Sequence, residues 1–451
     1  MRERLERNRR GKQALPANET EDSQGAAFFW LCAFWFVYCA RPEDWIPGLK
    51  YLPLAKITGF FTLVALLSSA GKTKRSIRDL PREGRYLLVL VCLLVSTSVI
   101  SPIWRGGALL HSLDFAKGAV AWVLTFLLVT NFQRLRRIIF IQAASVAMVA
   151  FVSVVKGRNT PRLEGVLNGM YYNANDLAFA LVLSLPFCLA FFLQARGLPR
   201  KALWMVAMLF MGVALFLTAS RAGFICLLIA GSVMLWHFGV KGKRPQLIVG
   251  AVVIGAVLLV AAGGKLKDRF FAISGNTQNS EDQSAYGSYV QRKELMISAV
   301  KAMVKYPIYG LGVNNFVSYA GYWREVHNSY LEMGAEGGVP ALVLYLLFFY
   351  SGFANLRQLR KRRDLDPQVR LFVGALHSSL VGFAVGALFE PEAYQLFSYI
   401  AVAQTSVIWA IVREQDASTP VPPSPAKLSV YDQRAGANRI SRMSSPNPAI
   451  R

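Results

Sequence analysis

From end to end the chain alternates long apolar runs with short polar connectors, most of them basic. Solid blocks of Leu, Val, Ala, Phe and Ile occupy residues 26–40, 54–70, 86–103, 115–131, 138–155, 177–194, 202–218, 222–239, 246–263, 339–354, 371–389 and 394–412. A membrane-crossing helix needs about 20 residues, so the shorter runs must borrow flanking polar positions to span. The blocks are solid, whereas barrel strands alternate over about 10 residues, and lipid tolerates only helices or closed barrels. The pattern predicts an all-α, polytopic integral membrane protein of about 12 transmembrane helices.

With the N-terminus inside, the outside connectors are 41–53, 104–114, 156–176, 219–221, 264–338 and 390–393. The fifth, about 75 residues, is far longer than an ordinary connector. It contains helical patterning of its own. The expected organisation is a basic tail over 1–25, helices one to nine over 26–263, the large outside loop over 264–338, helices ten to twelve over 339–412, and a tail over 413–451. That tail, with TPVPPSP and SRMSSPNP, reads as disordered chain.

Composition agrees: 54% of the residues are hydrophobic and 17% charged, more apolar surface than a soluble domain of this size can hide. Net charge changes the picture only through its placement. In a soluble protein +24 would suggest nucleic acid, but 33 of the 50 Lys and Arg lie in the two tails and in alternate connectors. Short basic connectors belong on the cytoplasmic side, so both termini are expected there and nucleic acid is not an expected partner. All five cysteines fall inside apolar runs, so no disulfide is expected on the outer face. No small-residue cleavage site follows the first run, which reads as a retained span.

The candidate chemistry gathers on the outside. Arg221, in LTASRAGF, follows a plausible cap, Ser220, so its helix start offers free N–H groups to an anion. The alternative is an arginine snorkelling to the interface. Arg292 begins YVQRKELMISAVKAMVKYP, an amphipathic pattern closed by Pro307. There Leu295, Met296, Ala299, Val300, Ala302 and Met303 form one apolar face, with Arg292 on its Met296–Ala299–Met303 seam. His327 precedes Ser329-x-x-Glu332, which reads as a capping box, and an imidazole in such company is a candidate base. His111 lies in a short outside connector; His237 and His377 read as structural. No Walker loop, HExxH, GxSxG or Cys/His metal cluster occurs. Asp364-Leu365-Asp366 has a metal-site spacing but sits in a short inside connector. Neither a metal nor a cofactor is expected.

These motifs resemble the O-antigen ligase and polymerase superfamily of bacterial envelope glycosyltransferases. The resemblance is densest in RLEGVLNGMYYNANDLA, in LTASRAG and from Arg292 to Pro340, where YPIYGLGVNNF and VHNSYLEMGAEGGVP follow the family pattern. One departure is Asn173-Ala174-Asn175, where the family commonly has Asn-Pro-Asn. The resemblance implies a multi-pass protein of the bacterial inner membrane with its active site on the periplasmic face. The donor would be a glycan on undecaprenyl pyrophosphate. Its acceptor would be a lipid A-core sugar, or another glycan or protein. It further implies that Arg221 and Arg292 hold the pyrophosphate and that His327 deprotonates the acceptor hydroxyl without a metal, inverting the anomeric centre. Asn175, Asn328, Tyr330 and Glu336 become candidate supporting residues. Ligase is favoured by the closeness of the His327 motif; polymerase and protein O-glycosylation share the same donor chemistry. The reading from another class is a secondary transporter, for which Asp114, Lys117 and His377 are the intramembrane ionisable hints.

Overall fold

The computed structural model describes residues 24–69, 74–157, 162–164, 167, 171–271, 280–321 and 324–418, without the side chains of 258–259 and 261–289. The basic tail before residue 24 and the C-terminal tail beyond 418, with what was expected of them, lie outside the described residues, as does 272–279 of the long connector.

The described residues form helices and turns. In order they are α1 (Gly25–Ala40), α2 (Pro42–Trp45), α3 (Leu54–Ser68), α4 (Arg82–Val99), α5 (Arg105–Leu128), α6 (Phe132–Lys156), α7 (Ala174–Gln194) and α8 (Leu198–Leu217). Then come α9 (Arg221–Leu235) with a π-turn (Trp236–Val240), α10 (Pro245–Phe271), α11 (Ser280–Lys305), α12 (Phe316–Ala320), α13 (Ser329–Lys361), α14 (Pro367–Gly386) and α15 (Leu396–Ser418). Every apolar run falls on a helix. Among the described residues seven helices are long and apolar enough to cross a membrane: α6, α7, α8, α9 with its π-turn, α13, α14 and α15. α1, α3 and residues 245–257 of α10 are apolar but shorter. The chain forms two compact units, Met1–Trp409 and Ala410–Arg451; in the second, the described residues are the last turns of α15.

Two connectors are shorter than their polarity suggested. Residues 104–114 were expected as a loop, yet α5 starts at Arg105. Gly106, Gly107, His111 and Asp114 interrupt the apolar pattern without breaking the helix, and Trp104 lies over Gly107, where a Cβ would come within 2.0 Å of its ring. The long connector, expected over 264–338, loses both ends: α10 runs on to Phe271 and α13 begins at Ser329. Gly338, with φ 79°, kinks α13 where the apolar run was expected to begin.

Several basic connector residues are spent on the fold. Arg75, 3% exposed, donates to the carbonyls of Phe126 and Val129, and Arg134, 5% exposed, to that of Leu128. These are the orphan carbonyls at the end of α5, which cations satisfy well. Inside the bundle Glu83 accepts from Asn355 Nδ2 at 2.7 Å and Ser406 Oγ at 2.6 Å, latching α4 to α13 and α15. A buried carboxylate is tolerable only with such donors.

Candidate functional site

The α8–α9 break is built for close approach. Ala219 has φ 47°, and the Ser220 hydroxyl caps α9 by accepting from Gly223 N at 3.1 Å. A Cβ at Gly223 would lie 2.6 Å from the Ala178 Cβ, so glycine there lets α9 pack on α7. Arg221 is the first residue of α9 and half-buried. Its position at an N-terminus with free N–H groups is as the sequence suggested.

The connector before α7 straps this break. Leu163 N donates to Leu217 O at 3.1 Å, and Arg162 Nε to Thr218 O at 2.7 Å. The same guanidinium reaches Asn175 Oδ1 at 2.9 Å and Glu164 at 3.3 Å. Asn173 caps α7 by accepting from Asn175 N at 3.0 Å. The proline that the family carries between these asparagines is not needed for the cap.

α11 carries Arg292 on its inward face, but the seam differs from the expected one. Leu295, Ala299 and Ala302 are fully buried in a cluster with Leu311, Phe316, Val326 and Ala335. Met296 and Val300, expected inside, are 39% and 47% exposed. Ala299 and Ala302 face inward beside Ala335 of α13, and Met303 reaches over Gly334, where a Cβ would come within 2.6 Å of its Cε. Arg292 precedes Leu295 by three residues on this face, and its buried Nε makes no hydrogen bond among the described residues.

His327 sits at the entrance to α13. The expected capping box does not form. Asn328 is the cap, its Oδ1 accepting from Tyr330 N at 3.1 Å and Leu331 N at 3.0 Å. Ser329 and Glu332 are instead used across space. Ser329 Oγ donates to Glu390 O and accepts from Glu392 N, while Glu332 accepts from Ala393 N at 3.2 Å. With Ser329 N donating to Ala387 O at 2.8 Å, these bonds stitch the α14–α15 turn onto the start of α13. Tyr330 hydroxyl donates to Ala384 O at 2.8 Å. Glu336 accepts from Asn314 N at 2.8 Å and Phe316 N at 3.1 Å, holding the Pro307–Phe316 turn. Of the four supporting candidates, Asn328, Tyr330 and Glu336 are thus scaffold, and Asn175 anchors Arg162.

The stitched turn delivers a residue that the sequence reading missed. Glu390, 2% exposed at its side chain, places Oε2 3.9 Å from His327 Nδ1, itself 21% exposed. Among the described residues neither carboxylate oxygen nor His327 Nδ1 makes a hydrogen bond. Burial pushes Glu390 up to about 8, opposed by Arg292 and Arg162. Burial lowers His327 to about 4, assisted by Arg292 and Arg324 and opposed by Glu325. At neutral pH the carboxyl is mostly protonated and the imidazole neutral, so the ring keeps a lone pair for an incoming proton. The structure therefore gathers Arg292, His327, Glu390 and Arg162. Arg162 also donates to the carbonyl of Thr218, three residues before Arg221 at the start of α9. The signal for Glu390 was present: two carboxylates, Glu390 and Glu392, in a four-residue connector on the same side as His327.

Other polar candidates take structural roles. His111 lies in α5, not in a loop, and its Nε2 faces Asn314 Nδ2 at 3.0 Å. His377 receives Arg360 Nη1 at 2.9 Å, so its neutral ring carries the proton on Nδ1 and donates to His237 Nε2 at 3.0 Å. Asp364 pairs with Arg362, and Asp366 caps α14. Asp114 and Lys117 pair with one another on the exposed side of α5.

Residues 206–346 match the O-antigen ligase family. The matched stretch is roughly a third of the chain and holds Arg221, Arg292 and His327, whereas Arg162 and Glu390 lie outside it. No curated protein matches the chain.

Proposed function

From the premise that the chain carries an O-antigen ligase domain over residues 206–346, that of a membrane glycosyltransferase family, we propose that it transfers a glycan from undecaprenyl pyrophosphate to an acceptor hydroxyl. The proposed site is periplasmic, in the inner membrane of a bacterium, with about twelve spans and both termini cytoplasmic. The preferred acceptor is a lipid A-core sugar, which makes the protein a ligase.

The observation that carries this reading is the convergence of Arg292 and Arg162 on the His327–Glu390 pair. A departing pyrophosphate gains negative charge, and forked guanidinium groups stabilise it bidentately where water is scarce. In this reading Arg221 and Arg292 hold the pyrophosphate and Arg162 fixes the backbone that presents Arg221. His327 takes the proton of the acceptor hydroxyl, which is too weak a nucleophile unaided. The oxygen attacks the anomeric carbon opposite the leaving group, the bond to pyrophosphate breaks, and the configuration inverts. Glu390, neutral, faces a ring nitrogen of His327 across 3.9 Å and adds no charge beside it.

The test is transfer by purified protein in vesicles, with polyprenyl-pyrophosphate glycan as donor and lipid A-core as acceptor. Product whose new linkage is inverted supports the proposal. Chain elongation without any lipid A-core product would make the protein a polymerase, and no consumption of donor under either condition would end the reading.

A further inference from the structure

α11 is apolar on two opposite faces, and only one of them is accounted for by the fold. Leu295, Ala299 and Ala302 pack inward. On the other side Ile297 is 46% exposed, Val300 47%, Val304 76% and, just past the helix end, Ile308 68%. At 100° per residue Ile297, Val300 and Val304 fall within an arc of about 60°, opposite the buried one. A stripe like this facing water would be a liability.

Its surroundings say what covers it. Val339 N donates to Pro307 O at 2.8 Å, which sets Ile308 beside the kink of α13. From that kink Val339, Val343, Leu346 and Tyr350 run down α13 as an exposed stripe at spacings of three and four, and α13 is long and apolar enough to cross a membrane. The outer stripe of α11 therefore leads without a break into the exposed apolar stripe of a helix long and apolar enough to span a membrane. Exposure of apolar side chains also rises along α11 toward that junction. Lys293 and Lys301 lie within and beside the stripe, where flexible ammonium groups can reach anionic headgroups while their stems stay among apolar neighbours.

We propose that the outer face of α11 from Ile297 to Ile308 is seated in the membrane, its side chains among the acyl chains of the leaflet that α13 enters and its lysines at the headgroups. The segment that carries Arg292 is then a lipid-embedded helix, not part of a loop standing in water. This location does not depend on the transfer reaction.

The test uses full-length protein with its native cysteines replaced, reconstituted in vesicles of phosphatidylethanolamine and phosphatidylglycerol. Spin labels are attached singly at Ile297→Cys, Val300→Cys, Val304→Cys, Ile308→Cys and, as a control between the two apolar faces, Glu294→Cys. Collision rates with oxygen, which partitions into lipid, are compared with those of a water-soluble nickel chelate. Oxygen should dominate at the four stripe positions, increasingly from 297 to 308, and the chelate at 294. Chelate collisions equal to or above oxygen at 304 and 308 would place the stripe in water and overturn the proposal. Protection from both reagents would mean that protein covers it, and would overturn it equally.

Discussion

Arg292 and Arg221 illustrate how much a single side chain's geometry is asked to do. A lysine supplies the same charge as a point, without the fork that matches two phosphate oxygens. Arg221→Lys and Arg292→Lys are each expected to lose most glycan transfer while inserting normally; near-wild-type transfer in a complementation assay would remove that arginine from the site. The proton chemistry gives a sharper expectation. In the proposed reaction His327 works neutral, and its lowering to about 4 puts the expected acid limb of kcat/KM well below the ordinary histidine value near 6.5. Bound pyrophosphate favours the charged ring, so the acid limb of kcat should lie higher. Both limbs at the same pH would contradict this. Because Glu390 is mostly protonated at neutral pH, with its value pushed up to about 8, Glu390→Gln should stay within about tenfold of wild type at pH 7. A loss of a hundredfold or more would mean that the ionised carboxylate is needed. Arg292 and His327 were legible in the sequence because a cation on an apolar face and a histidine before a cap break the local pattern. Glu390 was legible only as one of two carboxylates in a short connector, and Arg162 not at all: their pairing with His327, Asn175 and Thr218 depends on contacts across the chain, which no local spacing encodes.

At the scale of elements, the two positive-φ glycines on either side of α12, Gly310 and Gly321, show why one matters where the other does not. Gly310 has φ 62°, and a Cβ there would lie 2.4 Å from Glu336 O. Gly321 has a similar φ of 73° with nothing within 4 Å of the added Cβ among the described residues. Gly321→Ala should therefore cost only the left-handed backbone penalty, about 1–2 kcal/mol, and Gly310→Ala clearly more, since it also displaces the Glu336 backbone. Thermal unfolding in detergent compares the two; equal losses would mean the Pro307–Phe316 turn is looser than described. The helices themselves were legible, since every apolar run lies on one. Their ends were not. The Ser329/Glu332 box failed because Asn328 is an equally good cap one residue earlier, which freed both side chains to hold the α14–α15 turn. The α11 seam differs from the periodic one because Leu295, Ala299 and Ala302, and not Met296 and Val300, join the cluster with Phe316 and Ala335.

For the whole molecule, the basic bias of alternate connectors gives a topology that labelling can check. In a chain whose five cysteines are replaced, Ser76→Cys should react with an impermeant thiol reagent only after permeabilisation, and Ser280→Cys in intact cells. Labelling of both from outside would break the span count.

The central claim is that His327 moves a proton and does not merely bind the donor. Donor affinity and single-turnover transfer, measured on the same purified His327→Ala protein in vesicles, separate the two. Affinity for the polyprenyl-pyrophosphate glycan should be unchanged and the rate at saturating donor should fall by roughly 10²–10⁴. A variant that loses donor affinity yet keeps its saturated rate would contradict it.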